Sequence, residues 1–600
     1  MDRSDSSAQS IRIGGATGYW GEADLALPQF LAEGDCNYVV FDYLAEITMS
    51  ILARAHAARP DLGYATDFLT DVIKPHLAAI KAQGIRLISN AGGVNPEQLA
   101  ALVREEALRQ GLAIRVAVVC GDNLSDISKL QTLGAREMYS QRERPSLDSI
   151  VSANAYLGAF PIAQALETGA DIVITGRCVD SAVTLGIGIY EFGWRAEDLD
   201  ALAAGSLVGH LLECGPQVTG GNFTDWELVA DSLWQVGYPV AELYADGTAV
   251  ITKPQDTGGL VSTFTVGEQL LYEIDDPAYY VLPDVICDWS EVKLTQIAEH
   301  CVRVENARGI GVPSHYKVSV THSDGWRSGA VFFYAGRRAR EKARVFAEEV
   351  RRRTEVYLAK NGLGPFSHFS LEVIGGPSES AGGGYQADEV AFKIACRHSE
   401  ELGIQRFLKE LSGVGLGAPA GFFSFAGARP KPTPVVELFS TLLPKSAFSV
   451  LIKTEDSATQ WEPDEIADSV PERIHSAVDW PSCEAVSDMV LVPLEHLAVA
   501  RSGDKGDKAN VGVMARRAEF LPWIAQSLTT ERLLELFSPV LNSSEMDCYY
   551  LPGIHALNFV FHHALGGGGT ASLRADPQAK AYAQRLLQLS VAVPRSLIGD

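Results

Sequence analysis

Residues 11–190 alternate short apolar runs with longer helical patterns. The apolar runs lack a regular exchange of polar and apolar residues, which is typical of parallel strands buried on both faces. Their spacing along the chain is typical of βαβ units. One helix is predicted over residues 149–167. The runs that predict strands are Ile11–Ile13, Tyr38–Phe41, Ile85–Ser89, Ile114–Val119 and Asp171–Thr175.

The rest of the chain has a different character. Strand-like runs and a hairpin signal at Asp246-Gly247 predict an α+β extension over residues 224–453. Residues 454–489 are polar and weakly periodic, which predicts a linker. Strands around a polar loop, followed by helical patterns, predict a small C-terminal α+β domain over 490–600. The predicted fold class is therefore α/β, with a mostly parallel sheet flanked by helices over 1–223, its α+β extension, and the small C-terminal domain.

Charge and cysteine usage limit the partners of the chain. Its 600 residues carry a formal net charge of −25, so binding to nucleic acid is not expected. The nine cysteines include no CxxC pair, which argues against a disulfide framework or a structural zinc site and favours a reduced, cytoplasmic setting. We expect no bound metal, no membrane-spanning segment and no signal peptide. The cofactor is left unassigned.

A glycine-rich loop follows the first predicted strand and precedes a helix. The spacing Gly15-x-x-Gly18-x-x-Gly21, with Asp42 at the end of the next strand, is similar to the fingerprint of extended short-chain dehydrogenases. Those enzymes also need a Tyr with a Lys four residues later, and no Tyr of this chain has one. Two interpretations stay open: a loop that binds substrate through Gly15, Thr17 and Gly18, or a tight turn without a ligand.

Polar residues recur where the other predicted strands end. Because parallel strands end at one edge of a sheet, these residues are expected to share a crevice. Glu46 is a candidate acid or base, although Asp42 and Glu46 also suit a helix start. Arg177 is a candidate for carboxylate or phosphate binding, or for a local ion pair with Asp180. The candidate substrate-binding residues of these strand ends are Asp42, Asn90, Gly92, Gly93, Arg177 and Asp180.

The segment 209–223 is the densest group of reactive side chains. His210 and Glu213 are candidate general bases, and Cys214 is a candidate nucleophile if a base lowers its pKa. The alternative is a helix end with a buried cysteine and a glycine turn. The turn contributes four candidate substrate-binding residues, which are Thr219, Gly220, Gly221 and Asn222.

A charged loop joins two predicted strands of the C-terminal domain. Arginine and lysine around glycine suit an anion such as phosphate, whereas a plain solvated hairpin explains the charges equally well. The candidate binding residues of this loop are Arg501, Ser502, Gly503, Asp504 and Lys505.

Together these motifs resemble the acyclic terpene utilisation (AtuA-like) family over residues 11–450. The resemblance is carried by Gly14–Glu22, Asp42–Glu46, Asn90–Asn95, Gly176–Ser181 and Gly209–Phe223. The C-terminal unit resembles the small domain that accompanies this family, through Ala500–Asn510 and its similarity to an ARSGDKG signature. Pro216 departs from the usual pattern, in which a small residue is commoner. The resemblance implies a role in the breakdown of acyclic terpenoids through CoA thioesters, and it fixes no reaction and no catalytic residue.

Two functions of different classes follow. The first is a lyase or hydratase that acts on an acyl-CoA thioester of a branched carboxylic acid, with Glu213, His210, Glu46 and Cys214 as candidate catalytic residues. The second is a non-catalytic assembly subunit of an acyl-CoA carboxylase or hydratase system. An NAD(P)-dependent oxidoreductase is a further alternative. The expected partners are a small carboxylic acid or CoA thioester and further copies of the chain.

Overall fold

A computed structural model describes residues 10–22, 24–124, 136–375, 389–425, 429–462, 480–484 and 486–598. The chain divides into two compact units. The larger unit comprises Met1–Val320, Phe439–Ala564 and Ala579–Asp600, and the smaller comprises Thr321–Leu438 and Leu565–Gln578. The domain divisions after 223, 453 and 489 stay predictions, and residues 463–479 and 485 of the proposed linker lie outside the described residues.

The strands of the described residues, in chain order, are β1 (Ser10–Gly15), β2 (Tyr38–Phe41), β3 (Arg86–Ser89), β4 (Val116–Cys120), β5 (Ile150–Ala155), β6 (Ile172–Thr175), β7 (Val240–Tyr244), β8 (Ala249–Thr252), β9 (Tyr280–Val281), β10 (Ile286–Asp288), β11 (Lys293–Ala298), β12 (Cys301–Glu305), β13 (Arg308–Gly311), β14 (His315–Ala335), β15 (His368–Ile374), β16 (Glu389–His398), β17 (Phe422–Phe423), β18 (Thr433–Pro444), β19 (Val450–Lys453), β20 (Ala458–Trp461), β21 (Met489–Pro493), β22 (Ala498–Lys505), β23 (Lys508–Ala515), β24 (Met546–Leu551), β25 (Ala556–Phe561) and β26 (Ser590–Pro594).

The α-helices of the described residues are α1 (Ala26–Glu33), α2 (Glu46–Ala58), α3 (Lys74–Gln83), α4 (Pro96–Arg109), α5 (Phe160–Glu167), α6 (Ala182–Phe192), α7 (Leu199–Leu212), α8 (Thr263–Leu270), α9 (Ala339–Lys360), α10 (Glu401–Gly413), α11 (Leu521–Ser527), α12 (Thr530–Phe537), α13 (Gly568–Ala571), α14 (Tyr582–Leu586) and α15 (Arg595–Ile598).

The first sheet of the larger unit confirms the α/β prediction. Its centre is the parallel run β1-β2-β3-β6-β4, and antiparallel strands extend it through β7 on one side and β19 on the other. All residues of β2 and β6 are buried, as expected for strands covered on both faces. Because the central strands run in one direction, their carboxyl ends meet at one edge.

The predicted helix over 149–167 is wrong in its first half. The structure places β5 at Ile150–Ala155, and the helix α5 begins only at Phe160. Tyr156, just after β5, donates its backbone N–H to the carbonyl oxygen of Lys317 at 2.9 Å. This pairing spans a long stretch of chain, so the local pattern does not report it.

The C-terminal part of the larger unit contains the antiparallel sheet β22-β23-β25-β24 and the pair β21-β26. Its β23 packs closely on the end of α8, where a Cβ on Gly512 would lie 2.5 Å from the Cβ of Leu271. The small α+β fold predicted for this segment is confirmed.

The smaller unit is an antiparallel sheet covered by two helices. Its strand order is β15-β16-β14-β17, and α9 and α10 lie against it. The aromatic side chains of Phe346, Phe392 and Phe407 are fully buried between sheet and helices.

Candidate functional site

The polar residues after the central parallel strands meet at one edge, which we call the crevice (Asp42, Glu46, Asn90, Arg177 and Asp180, with Glu213). Asn90, which is fully buried, donates from Nδ2 to Asp42 Oδ1 at 2.5 Å, and its own Oδ1 accepts the backbone N–H of Tyr43 at 2.8 Å. Asp42 and Asn90, which follow two neighbouring strands, therefore form a buried amide–carboxyl pair.

Arg177 brings a positive charge into the crevice. Its side chain is 3% exposed, and Nη1 donates to Asp180 Oδ1 at 2.6 Å and to the Cys178 carbonyl at 2.9 Å. The guanidinium lies 4.1 Å from the centre of the Tyr156 ring. Within the described chain, no hydrogen bond engages its Nε or Nη2. That edge of the guanidinium has the geometry to bind a planar anion in a bidentate manner.

Glu46 begins α2 and contacts two residues that the sequence did not single out. Its carboxylate accepts the hydroxyl hydrogen of Tyr156 and lies 3.7 Å from Lys317 Nζ. Burial raises the pKa of Glu46, but the charges of Lys317 and Arg177 outweigh burial and hold it at about 2. Glu46 therefore stays ionised across the physiological range.

His210 and Glu213 form a pair at the end of α7. His210 Nε2 donates to the Gln269 carbonyl at 3.0 Å, and Nδ1 lies 3.0 Å from Glu213 Oε1. Burial raises the pKa of Glu213, and the neighbouring His210 opposes this rise. Both ring nitrogens are engaged, so His210 is placed to orient Glu213 rather than to act as a base itself.

Asp42 and Cys214 also resist ionisation. Burial, followed by the charge of Asp180, raises the pKa of Asp42 well above its ordinary value. Burial and the charges of Glu213 and Glu273 raise the pKa of Cys214 well above the ordinary thiol value. A nucleophilic cysteine needs its thiolate, so this environment favours the alternative of a structural cysteine over catalysis.

The glycine-rich loop uses its donors internally. Glu22 Oε2 accepts the backbone N–H of Gly18 at 2.7 Å and the Thr17 hydroxyl at 3.0 Å, where a dinucleotide phosphate would need them. A Cβ on Gly15 would lie 2.8 Å from the Leu212 carbonyl, and one on Gly18 would lie 3.0 Å from the Glu213 carbonyl. These glycines permit backbone packing beside Glu213, which favours the tight-turn interpretation.

The other predicted glycines also lie at close approaches of the backbone. A Cβ on Gly92 would lie 2.4 Å from the Thr175 carbonyl, and Gly93 has a positive φ of 55°. Thr219 donates its hydroxyl to the Gly237 carbonyl at 2.5 Å. The turn that follows it has positive φ at Gly220 and Asn222. A local structural role accounts for each of them, and their binding of substrate stays a prediction.

Arg501 of the C-terminal loop is surrounded by protein acceptors. Its guanidinium donates twice to Glu268 Oε2, at 3.0 and 2.9 Å, and also to Gln217 Oε1 and the Gly221 carbonyl. Ser502 bonds the Ala579 carbonyl at 2.6 Å. These contacts explain Arg501 and Ser502 without an anion.

Asp504 and Lys505, in the same loop, lie near the crevice. Lys505 Nζ donates to the Tyr280 hydroxyl at 2.7 Å and to the Glu273 carbonyl at 2.8 Å, and its charge acts on Glu213. A Cβ on Gly503 would lie 2.5 Å from Glu273, so this glycine permits the close approach. Burial and Glu273 raise the pKa of Asp504 to about 8, and Glu46 adds to the rise. Two segments remote in sequence thus share one polar site within the larger unit.

Asp122, after β4, is expected to make the free energy of unfolding depend on pH. Burial raises its pKa to about 6, although the backbone N–H of Arg177 and Asn154 Nδ2 both bond its carboxylate. The unfolded value is roughly 4, so between about pH 4 and about pH 6 only the folded state keeps the proton. The free energy of unfolding should therefore fall across that window as pH rises, by on the order of 2–3 kcal/mol.

We expect Asp122→Asn to flatten this dependence, measured by urea unfolding at the two ends of the window. The control is Asp246→Asn in an exposed turn. An unchanged pH dependence in Asp122→Asn would show that Asp122 titrates normally.

Two features are absent from the described residues. No group of three or more His, Cys, Asp and Glu side chains in them is arranged to hold a metal ion. No helix among them has the length and apolar character needed to cross a membrane.

Comparison with known proteins identifies the family. Residues 11–454 match the model of the acyclic terpene utilisation family protein AtuA, and residues 492–592 match that of the AtuA ferredoxin-like domain. No curated protein and no solved structure matches the chain. Since the first match covers more than half of its length, the chain belongs to the acyclic terpene utilisation family and carries that family's ferredoxin-like domain at its C-terminal end.

Proposed function

We propose that the crevice catalyses the addition or elimination of water on an acyl-CoA thioester of a branched carboxylic acid. One observation carries the proposal. Glu46 and Glu213 line the same crevice, and their environments move the two pKa values in opposite directions. Such a separation is how active sites assign an acid–base role to one carboxyl group and a permanent charge to another.

Glu213 is the group that exchanges the proton. A carboxylate whose pKa is raised accepts a proton from carbon more readily than an ordinary carboxylate does. His210 fixes the orientation of Glu213 through the contact at 3.0 Å between Nδ1 and Oε1. In this proposal, His210 is a positioning residue.

The cations of the crevice support the proposed substrate class. Removing a proton beside a thioester carbonyl produces an enolate, which needs fixed positive charge or donors nearby. The Nε and Nη2 edge of Arg177 supplies such donors. Lys317, which lies beside the Glu46 carboxylate, adds a second positive charge. Burial raises the pKa of Asp42, and in its protonated form this carboxyl group would be a further donor to an oxygen.

Membership of the acyclic terpene utilisation family supports the branched acyl chain. The internal use of the glycine-loop donors by Glu22 speaks against the NAD(P)-dependent alternative. The assembly-subunit alternative has no comparable structural support, because buried carboxyls with shifted pKa values are characteristic of sites that carry out chemistry.

The test is incubation of the purified protein with β-methyl-α,β-unsaturated acyl-CoA thioesters and with their β-hydroxy counterparts. We expect the mass of a thioester to change by one water molecule, without added nicotinamide cofactor. If no thioester changes and the protein co-purifies with an acyl-CoA carboxylase, the assembly role replaces this proposal. Turnover only when NAD(P) is supplied would favour the oxidoreductase.

A further inference from the structure

A tyrosine outside the predicted site lies beside Lys505. Tyr280 belongs to the short strand β9, which pairs with β10 so that Tyr280 faces Cys287 in register. The phenol oxygen accepts a hydrogen bond from Lys505 Nζ at 2.7 Å. Because the ammonium group is the donor, the hydrogen of the phenol remains available for a bond to another acceptor.

Trp289 packs against both the Tyr280 ring and the ring of His210, which pairs with Glu213. The indole is fully buried, with the His210 ring at 5.4 Å and the Tyr280 ring at 4.8 Å between ring centres. Burial raises the pKa of the Tyr280 phenol, the charge of Lys505 opposes this rise, and the charges of Glu213 and Asp180 add to it. One buried indole therefore contacts both Tyr280 and His210, the residue that positions Glu213.

We propose that Tyr280 is the acid that protonates the departing hydroxyl group, with Lys505 stabilising the phenolate that results. The inference rests on the proposed function and adds a second catalytic residue to it. Lys505, predicted as a ligand of an anionic substrate, acts here on a protein phenol. The ferredoxin-like domain thus contributes a functional group to the reaction.

The elimination of water uses two proton transfers. Glu213 takes the proton from the carbon next to the thioester carbonyl, and the electrons of that C–H bond form the double bond. The C–O bond at the neighbouring carbon breaks with its electron pair on oxygen, and the Tyr280 hydroxyl hydrogen completes a water molecule. Glu213 is left protonated and Tyr280 ionised, and a proton returns from one to the other through solvent. Hydration is the reverse.

A purely structural role is the competing explanation. In that case the Lys505–Tyr280 bond would only anchor the C-terminal loop, and the phenol would carry no proton during turnover. In the structural role the Tyr280 hydroxyl only accepts the hydrogen bond from Lys505. In the catalytic role it also gives up its proton.

The experiment separates the two proton transfers in the full-length protein. Exchange of the proton beside the carbonyl of a saturated branched acyl-CoA into D₂O requires only the base, whereas water loss from a β-hydroxyacyl-CoA requires the acid as well. We expect Tyr280→Phe to exchange at the wild-type rate and to eliminate water about 10²–10⁴-fold more slowly. Tyr316→Phe, which removes a buried hydroxyl outside the crevice, is the control and should match the wild type in both assays.

A second variant covers the case in which Tyr280→Phe folds poorly. Replacing Tyr280 with meta-fluorotyrosine preserves the shape of the ring and lowers the pKa of its phenol. The high-pH limb of the elimination rate should then move to lower pH, which an anchoring role would not produce.

Each remaining outcome is decisive. A wild-type protein that neither exchanges nor eliminates overturns the proposed function, and this inference with it. If the wild type does both, but Tyr280→Phe eliminates water as fast or the fluorinated protein keeps its pH limb, then only the role of Tyr280 is wrong.

Discussion

Replacing Glu213 with glutamine should abolish turnover while leaving the protein folded. Glutamine keeps the size of the side chain and an oxygen near His210 Nδ1, but it cannot accept a proton from carbon. Loss of a positioned general base lowers kcat by about 10²–10⁴-fold. The measurement is the rate of water addition or loss on the branched acyl-CoA thioesters, together with the thermal unfolding midpoint of each protein.

The matched control for this variant is Glu97→Gln. Glu97 is a glutamate in the first turn of α4; it is exposed and pairs with Lys453 at 2.7 Å. Its substitution should leave turnover unchanged. If Glu213→Gln turned over at the wild-type rate, the raised pKa of Glu213 would have no catalytic meaning, and Asp42 and Asp504 would become the remaining candidates with a raised pKa.

The strand ends could be predicted because they depend on local pattern. Short apolar runs separated by helices imply a parallel sheet, and a parallel sheet brings Asp42, Asn90 and Arg177 to one edge whatever the rest of the chain does. The burial and pairing of these residues then follow from their position. This part of the site required no knowledge of distant contacts.

Tyr156, Lys317 and Tyr280 could not be found in the same way. The Tyr156 hydroxyl bonds Glu46 across 110 positions, and Lys505 bonds Tyr280 across 225. The local pattern around Tyr156 also resembles that of a helix. The strand β5 was missed because the segment that pairs with it lies far along the chain. A search for Tyr and Lys four residues apart misses a phenol–ammonium pair that the fold assembles.

The glycine loops show why a motif can be read in two ways. Glycine allows close approach of a ligand to the backbone, but it equally allows close approach of another backbone. At Gly15 and Gly18 the approaching groups are the carbonyls of Leu212 and Glu213. The acid that occupies the loop donors, Glu22, lies only a few residues further on. The position of this carboxylate so close in sequence is the signal that could have indicated an internal role for the loop donors.

Arg501 presents the same difficulty in charged form. A cation close to a glycine is consistent with an anion site, and the sequence does not reveal that its partner Glu268 is completely buried on α8. Burial raises the pKa of Glu268, and the charge of Arg501 opposes that rise. The guanidinium thus neutralises a carboxylate that the interior would otherwise not tolerate.

Arg501→Met should therefore destabilise the larger unit. Removing one partner of a buried ion pair leaves an uncompensated charge and costs about 3–5 kcal/mol of unfolding free energy. The double variant Arg501→Met with Glu268→Met removes both charges, so most of the lost unfolding free energy should be recovered. Urea unfolding of the two single variants and the double variant measures the coupling free energy between Arg501 and Glu268. Isothermal calorimetry with an acyl-CoA measures whether Arg501→Met also weakens ligand binding. If this variant bound the acyl-CoA more weakly but kept the unfolding free energy of the wild type, Arg501 would be a ligand-binding residue. Its ion pair with Glu268 would then not contribute to stability.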